Sequence, residues 1–172
     1  MNSNKLKHSG QQAFCLGIKD QDKQVIVFVA KAKEGGEEEE EGFEIVKYVL
    51  VENQFEDRGS VAESQEEIFQ LCLSGDKKDI IATIVEGFLI WPLEYGGVGG
   101  LTRLILPTEF RNVISRPSGS NSCVLNKTKD VAIAGVREYI FVWNIDTEQL
   151  LKHFQGHYGR IIRLLCNRFI TS

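Results

Sequence analysis

Short blocks of β-branched and aromatic residues recur along this chain, each closed by a polar or glycine-containing turn. Phe14–Ile18, a polar turn over Lys19–Lys23 and Val25–Val29 read as two strands of a hairpin, and Phe43–Val51 resumes strand chemistry after a glutamate-rich interruption. In the first hairpin the β-branched run makes helix improbable. The order then repeats: Ile68–Leu73, a turn over Ser74–Asp79, Ile80–Val85, Phe88–Trp91 and Leu101–Leu106. Between the third and fourth of these blocks stand only Glu86 and Gly87, the length of a tight hairpin in which glycine can take a positive φ. Pro92 cannot donate to a strand ladder, so a strand should end there or lie on an unpaired side.

A third round follows with Cys123–Leu125, the turn Asn126–Asp130, Val131–Val136, Tyr139–Ile145 and Leu150–Phe154, and Ile161–Cys166 has the composition of one more opening strand. Three stretches share a flavour: Gly42–Val46, Gly87–Trp91 and Glu138–Trp143. Their marker positions Val46, Trp91 and Trp143 lie 45 and 52 residues apart, close to the roughly 40 to 45 residues of a four-stranded propeller blade. The expected fold is all-β, a partial β-propeller of about three four-stranded antiparallel blades plus the first strand of a fourth. The units span about 11–60, 61–114 and 120–155, with the extra strand over 160–166, in one region covering 1–172.

Composition fits that reading. Of 172 residues, 42 % are hydrophobic and 26 % charged, values of an ordinary globular chain. No apolar run approaches the roughly 18 residues of a membrane span, and the first residues lead into polar sequence, so no membrane is expected and the chain is assigned to the cytosol or nucleus. The net charge of −4 divides unevenly, with −8 over residues 1–86 and +4 over 87–172. The arginines of the second half, Arg103, Arg111, Arg116, Arg160, Arg163 and Arg168, are scattered without interleaved aromatics, so a nucleic-acid surface is not expected. Glu37–Glu41 are five adjacent carboxylates that repel one another, which reads as a solvated insertion between strands.

Four cysteines, Cys15, Cys72, Cys123 and Cys166, form no CxxC pair, which argues against common zinc signatures and a compact disulfide framework. Cys72 and Cys123 each stand eight residues before an apolar run, at Ile80 and Val131, and Cys15 stands ten before Val25. Cysteine recurring at one point of a repeat reads as core packing.

The arrangement of Ser122–Cys166 resembles the WD-repeat β-propellers. Val142-Trp143-Asn144-Ile145-Asp146-Thr147-Glu148 stands where that family places its Trp-Asp and the following turn, and Gly156-His157 matches its Gly-His. Trp91-Pro92 is a weaker match and Val46-Lys47 weaker still. The resemblance implies a hydrogen-bond set of His, Ser/Thr, Trp and a turn Asp in each blade. Here the turn positions Glu86-Gly87 and Arg137-Glu138 contain no Asp, so that set should be incomplete and the blades should rest on apolar burial, about 25 cal/mol per Å². Similar degenerate repeats occur in large NACHT-and-WD-repeat signalling proteins. Three blades and a strand are fewer than the four of the smallest closed propellers. The chain therefore reads as a fragment or truncated form of a longer multi-blade protein, or as an open partial propeller stacked on another chain, with unpaired blade edges available for pairing.

No catalytic constellation withstands inspection. Gly96-Gly97-Val98-Gly99-Gly100 is not G-x-G-x-x-G and precedes strand chemistry, Gly75-Asp76-Lys77-Lys78 lacks the upstream glycine of a P-loop, and Ser74, Ser118, Ser120 and Ser122 read as turn residues. His153 and His157 would share a face only in a helix, and Leu150–Phe154 reads as strand. Asn126-Lys127-Thr128 is a glycosylation sequon read as a chance match in a turn. No enzyme activity, cofactor or metal is expected. The leading expectation is a noncatalytic protein-interaction scaffold, with Val46, Trp91, Trp143, Gly156, His157, Cys15, Cys72 and Cys123 as structural repeat positions. Glu38, Glu40, Arg111 and Arg116 are candidate contacts to partner proteins. The alternatives are a regulatory sensor segment restraining an attached nucleotide-binding domain, or a spliced or degraded product without independent function.

Overall fold

Among the described residues, consecutive strands within each sheet pair as antiparallel hairpins, several through turns of two to five residues that leave a strand its predecessor as the nearest partner. The structure is a computed structural model and describes residues 13–19, 24–33, 42–93, 100–114 and 122–155. The first sheet contains β1 (Ala13–Lys19), β2 (Gln24–Ala32), β3 (Phe43–Val51) and β4 (Gln54–Ser64). The second contains β5 (Gln70–Leu73), β6 (Asp79–Ile84), β7 (Gly87–Pro92) and β8 (Thr102–Ile105), followed by a short helix α1 (Thr108–Ile114). The third contains β9 (Ser122–Leu125), β10 (Val131–Val136), β11 (Tyr139–Asn144) and β12 (Leu150–Gln155). In each sheet the strands lie in chain order and every pair is antiparallel. Among the described residues the fold is, apart from α1, all-β: a partial β-propeller of three four-stranded blades.

Apolar alternation stacks the blades. In β6 the side chains of Ile80, Ala82 and Ile84 join Leu89 and Trp91 of β7 in a core shared with Phe28, Ala30 and Ile45 of the first sheet. The intervening Ile81, with Phe88 and Ile90, enters a second core with Cys123, Ala132, Ala134, Phe141 and Trp143 of the third sheet. The middle sheet is thus covered on both faces, and for that reason every residue of β6 is buried. A period of two puts neighbouring residues on opposite faces, so one apolar run feeds two cores.

The second and third blades repeat with one register. Leu73 faces Ile80 and Leu125 faces Ala132, while Trp91 faces Ile80 and Trp143 faces Ala132. Every one of these positions is displaced by the 52 residues that separate the two tryptophans in sequence. Both tryptophans point to the preceding blade. Val46 pairs with Val29 and is buried. It alternates with Ile45, whose side chain faces the second sheet, so Val46 points away from the following blade, in the sense of the tryptophans.

Several details depart from the sequence reading. β4 is a strand of 11 residues whose first seven are exposed. It follows a two-residue turn at Glu52-Asn53 with φ of 47° and 69°, the doubly positive geometry of a tight hairpin. Two irregularities in its pairing with β3 bend it. Helix α1 was likewise not expected. The β6–β7 turn is Val85-Glu86, because Ile84 pairs with Gly87. Gly87 is the first residue of β7 and is needed there for close approach, since a Cβ on it would collide with the Leu104 carbonyl of β8.

The cysteine equivalence is corrected as well. Cys72 faces Ile81 and Cys123 faces Ala134, so in the common register Cys123 corresponds to Leu71, one residue from Cys72 and on the opposite face. Backbone pairing places Cys15 against Phe28. Gly156, His157, Glu38, Glu40, Arg116 and the expected strand over 160–166 lie outside the described residues.

Candidate interaction site

At the seam of the first and second blades the backbone opens a cleft of about 660 Å³. Its lining comes from three places: Glu63–Glu67, the end of β4 and the segment after it, the Val85-Glu86 turn, and Leu101 and Arg103 at the start of β8, with Leu89 also in the wall. The segment after β4 is held at both ends. Ser64 Oγ donates to the Glu66 carbonyl and accepts from the Glu66 N–H, each at 3.0 Å, a local side-chain turn of the kind serine favours. Ile68 is buried in the inter-blade core, and the Phe69 N–H donates to the Thr83 carbonyl at 2.9 Å. The opposite wall is fixed where the Leu106 N–H donates to the Glu86 carbonyl at 2.8 Å.

Arg103 ties the site together. Its guanidinium pairs with Glu66 from the segment between the first two blades, and its backbone N–H donates to Glu148 Oε1 of the β11–β12 turn at 2.9 Å. One residue of the second blade therefore binds both the segment that leads in from the first blade and a turn of the third. Two further carboxylates of the cleft have cationic neighbours: Glu63 pairs with Lys33 at 2.6 Å and Glu86 with Arg111 at 3.5 Å. Val85 and Leu101 are 38 % and 47 % exposed beside these charges. The cleft combines an aliphatic wall with an acidic rim.

Of the candidate contact residues, Arg111 is the one described. It stands on α1, donates from Nε to the Leu106 carbonyl at 3.1 Å and reaches Glu86, so its guanidinium braces the wall of the cleft. Phe110 of the same helix packs edge-on against Tyr139, Phe141 and His153, with centroids 5.0 to 5.1 Å apart. That contact docks the helix on the third blade. Trp143 is fully buried, stacks on Phe141 at 5.6 Å, meets Phe88 of the second blade edge-on at 6.1 Å and donates its indole N–H to the Ile105 carbonyl at 3.4 Å. Its polar group is thereby satisfied across the seam. Trp91 is buried toward the first blade.

A second charged cluster joins the second and third blades through matching turns. Ser74 and Asn126 open the β5–β6 and β9–β10 connections, and Lys77 and Lys129, three residues on, each have φ of 61°. Ser74 Oγ accepts from the Asp79 N–H at 2.9 Å, and Asn126 Oδ1 accepts from the Val131 N–H at 3.1 Å. From the second turn Lys129 Nζ reaches Asp79 Oδ2 at 2.6 Å and Asp76 Oδ2 at 3.0 Å. Burial works against the charged ammonium, yet the bonds to Asp79 and Asp76 outweigh it and raise the Lys129 pKa above the ordinary 10.5. Asp76 lies below its ordinary 3.8: burial opposes this, and bonds from Ser74, Lys129 and the Lys78 backbone prevail.

The sequence reading passed over the residues that build the cleft. Arg103 had only a positive charge to mark it, and Val85 and Leu101 looked like strand core. The signal that could have been used was their place at hairpin ends, where apolar side chains lose cover.

The all-β fold and the cleft define a class, a partial propeller with a surface recess between blades. No family model matches the chain and no curated protein matches it. Among solved structures, the computationally designed Ika8 protein is similar at 19 % identity with a TM-score of 0.43. That match covers 88 % of this chain and 39 % of the designed one.

Proposed function

We propose that this protein is a noncatalytic interaction scaffold built on WD-type repeats, and that it engages partner proteins through the cleft between its first two blades. The observation that carries this reading is the pairing of Val85 and Leu101, exposed aliphatic side chains, with a rim of carboxylates held in place by Arg103, Arg111 and Lys33. Exposed apolar side chains beside fixed polar groups are what a protein contact requires: the apolar part supplies desolvation and the charges supply orientation. Loops on a rigid sheet frame are suited to this, because the frame bears the cost of ordering them.

The test is cross-linking of the immobilised chain to bound proteins, followed by mapping of the linked peptides, for the native chain and for Leu101→Asp and Val85→Asp. Cross-links are expected to cluster on 63–67, 85–86 and 101–103 and to be lost in both variants while circular dichroism stays native. Capture that is indifferent to both substitutions, or no capture above a denatured control, overturns the proposal.

A further inference from the structure

We propose that Cys72 and Cys123 form an oxidisable pair, in which a disulfide staples β5 of the second blade to β9 of the third. The geometry follows from their offset in the repeat. Were the two cysteines equivalent, both side chains would face the same rotational direction and never meet. They are one residue out of step in the 52-residue register, and in a strand one residue is a change of face. Cys72 pairs with Ile81 and so faces the third blade, while Cys123 pairs with Ala134 and so faces back to the second. Both thiols enter the same inter-blade core, Cys123 as a fully enclosed member and Cys72 at its margin. Cys72 Sγ reaches to 4.0 Å from the backbone carbonyl of Cys123 itself.

The oxidant is a small disulfide such as glutathione disulfide. The Cys72 thiolate, the less buried of the two, attacks one sulfur of the oxidant, releases one molecule of free thiol and forms a mixed disulfide. The Cys123 thiolate then attacks the Cys72 sulfur and releases the second. The protein gives up two electrons and two protons, and both are recovered in the two thiols of the reduced oxidant. Burial pushes the Cys72 thiol up to about 11 and that of Cys123 higher, with the neighbouring Cys72 adding to the second shift. Thiolate is therefore scarce at neutral pH, and the reaction should quicken as pH rises.

The test incubates the folded full chain in buffers of graded reduced-to-oxidised glutathione ratio, blocks remaining thiols by alkylation and identifies linked peptides by mass spectrometry. A Cys72–Cys123 peptide two hydrogens lighter than its reduced parts is expected, unchanged in Cys15→Ser and Cys166→Ser chains. Oxidation should raise the melting temperature by roughly 5 °C or more, since the bond closes a loop of 51 residues. That shift should be absent in Cys72→Ser. Should Cys72→Ser fail to fold, peptide mapping of the native chain decides by itself. Cys72 and Cys123 alkylated after unfolding at every ratio, or linked only to Cys15, Cys166 or glutathione, would overturn the proposal.

Discussion

Lys129 and Asp79 belong to different blades, and their charged ends meet at 2.6 Å where the Asp79 side chain is only 8 % exposed. A carboxylate that enclosed needs a partner, because desolvation without compensation costs more than the pair returns. The lysine is delivered by the positive φ of its own turn, the same turn that Ser74 opens one blade earlier. The repeat therefore supplies a structural link that neither blade could make alone.

Replacing Lys129 by Met removes the ammonium and leaves two carboxylates at the seam. A loss of about 1–3 kcal/mol in urea-denaturation stability is expected. The double variant Lys129→Met, Asp79→Asn should cost less than the sum of the two single changes, and simple additivity would show that the pair is uncoupled.

The pH dependence of that contribution follows from the two shifts. Lys129 has a raised folded pKa, so its contribution is complete below the ordinary 10.5 and disappears as pH rises through the folded value. Asp76 has a lowered folded pKa, so its contribution is complete above the ordinary 3.8 and disappears as pH falls through the folded value. The melting-temperature gap between native chain and Lys129→Met is expected to be flat from roughly pH 5 to 9 and to narrow at both extremes. A gap that grows with alkali would contradict the assignment.

Trp143→Ala opens a cavity between the second and third blades and should cost about 3–5 kcal/mol. Trp143→Phe keeps the stacking surface toward Phe141 and removes the donor to Ile105, so a smaller loss of about 1 kcal/mol beyond the change in volume is expected. Chemical denaturation of both variants reads the difference.

Two glycines offer a matched comparison. A methyl group at Gly87 meets the Leu104 backbone, whereas one at Gly75 meets nothing within 4 Å. Gly87→Ala should destabilise by about 1–3 kcal/mol by forcing β8 from β7, and Gly75→Ala should lie within about 0.5 kcal/mol of the native chain. Equal effects in thermal unfolding would place the close approach in doubt.

Much of this architecture was legible in the order of residues. The hairpins around Ser74–Asp79, Asn126–Asp130 and Arg137-Glu138, the final strand of the second blade near Leu101–Leu106 and that of the third near Leu150–Phe154 all announce themselves by β-branched blocks and turn chemistry. β4 did not, because residues 54–60 carry charges and a glycine and are exposed. Their pairing with β3 is dictated by the Glu52-Asn53 turn rather than by any apolar face. Helix α1 escaped for a related reason: it is a short segment between strands, secured by Phe110 against aromatic rings from the following blade.

By itself the amino-acid order determined that the chain is all-β, that it repeats, and that Trp91 and Trp143 hold matching places, since strand blocks joined by short turns leave antiparallel meanders as the available pairing. Only the tertiary structure decided which way each side chain faces. Where a strand such as Ile80–Ile84 is apolar on both sides, alternation carries no label for inside and outside, and the faces are assigned only when a sheet packs on each. The convergence of Arg103 with Glu66 and Glu148, and of Cys72 with Cys123, arose at that same step, from residues far apart in the chain and brought to one seam by the stacking of blades.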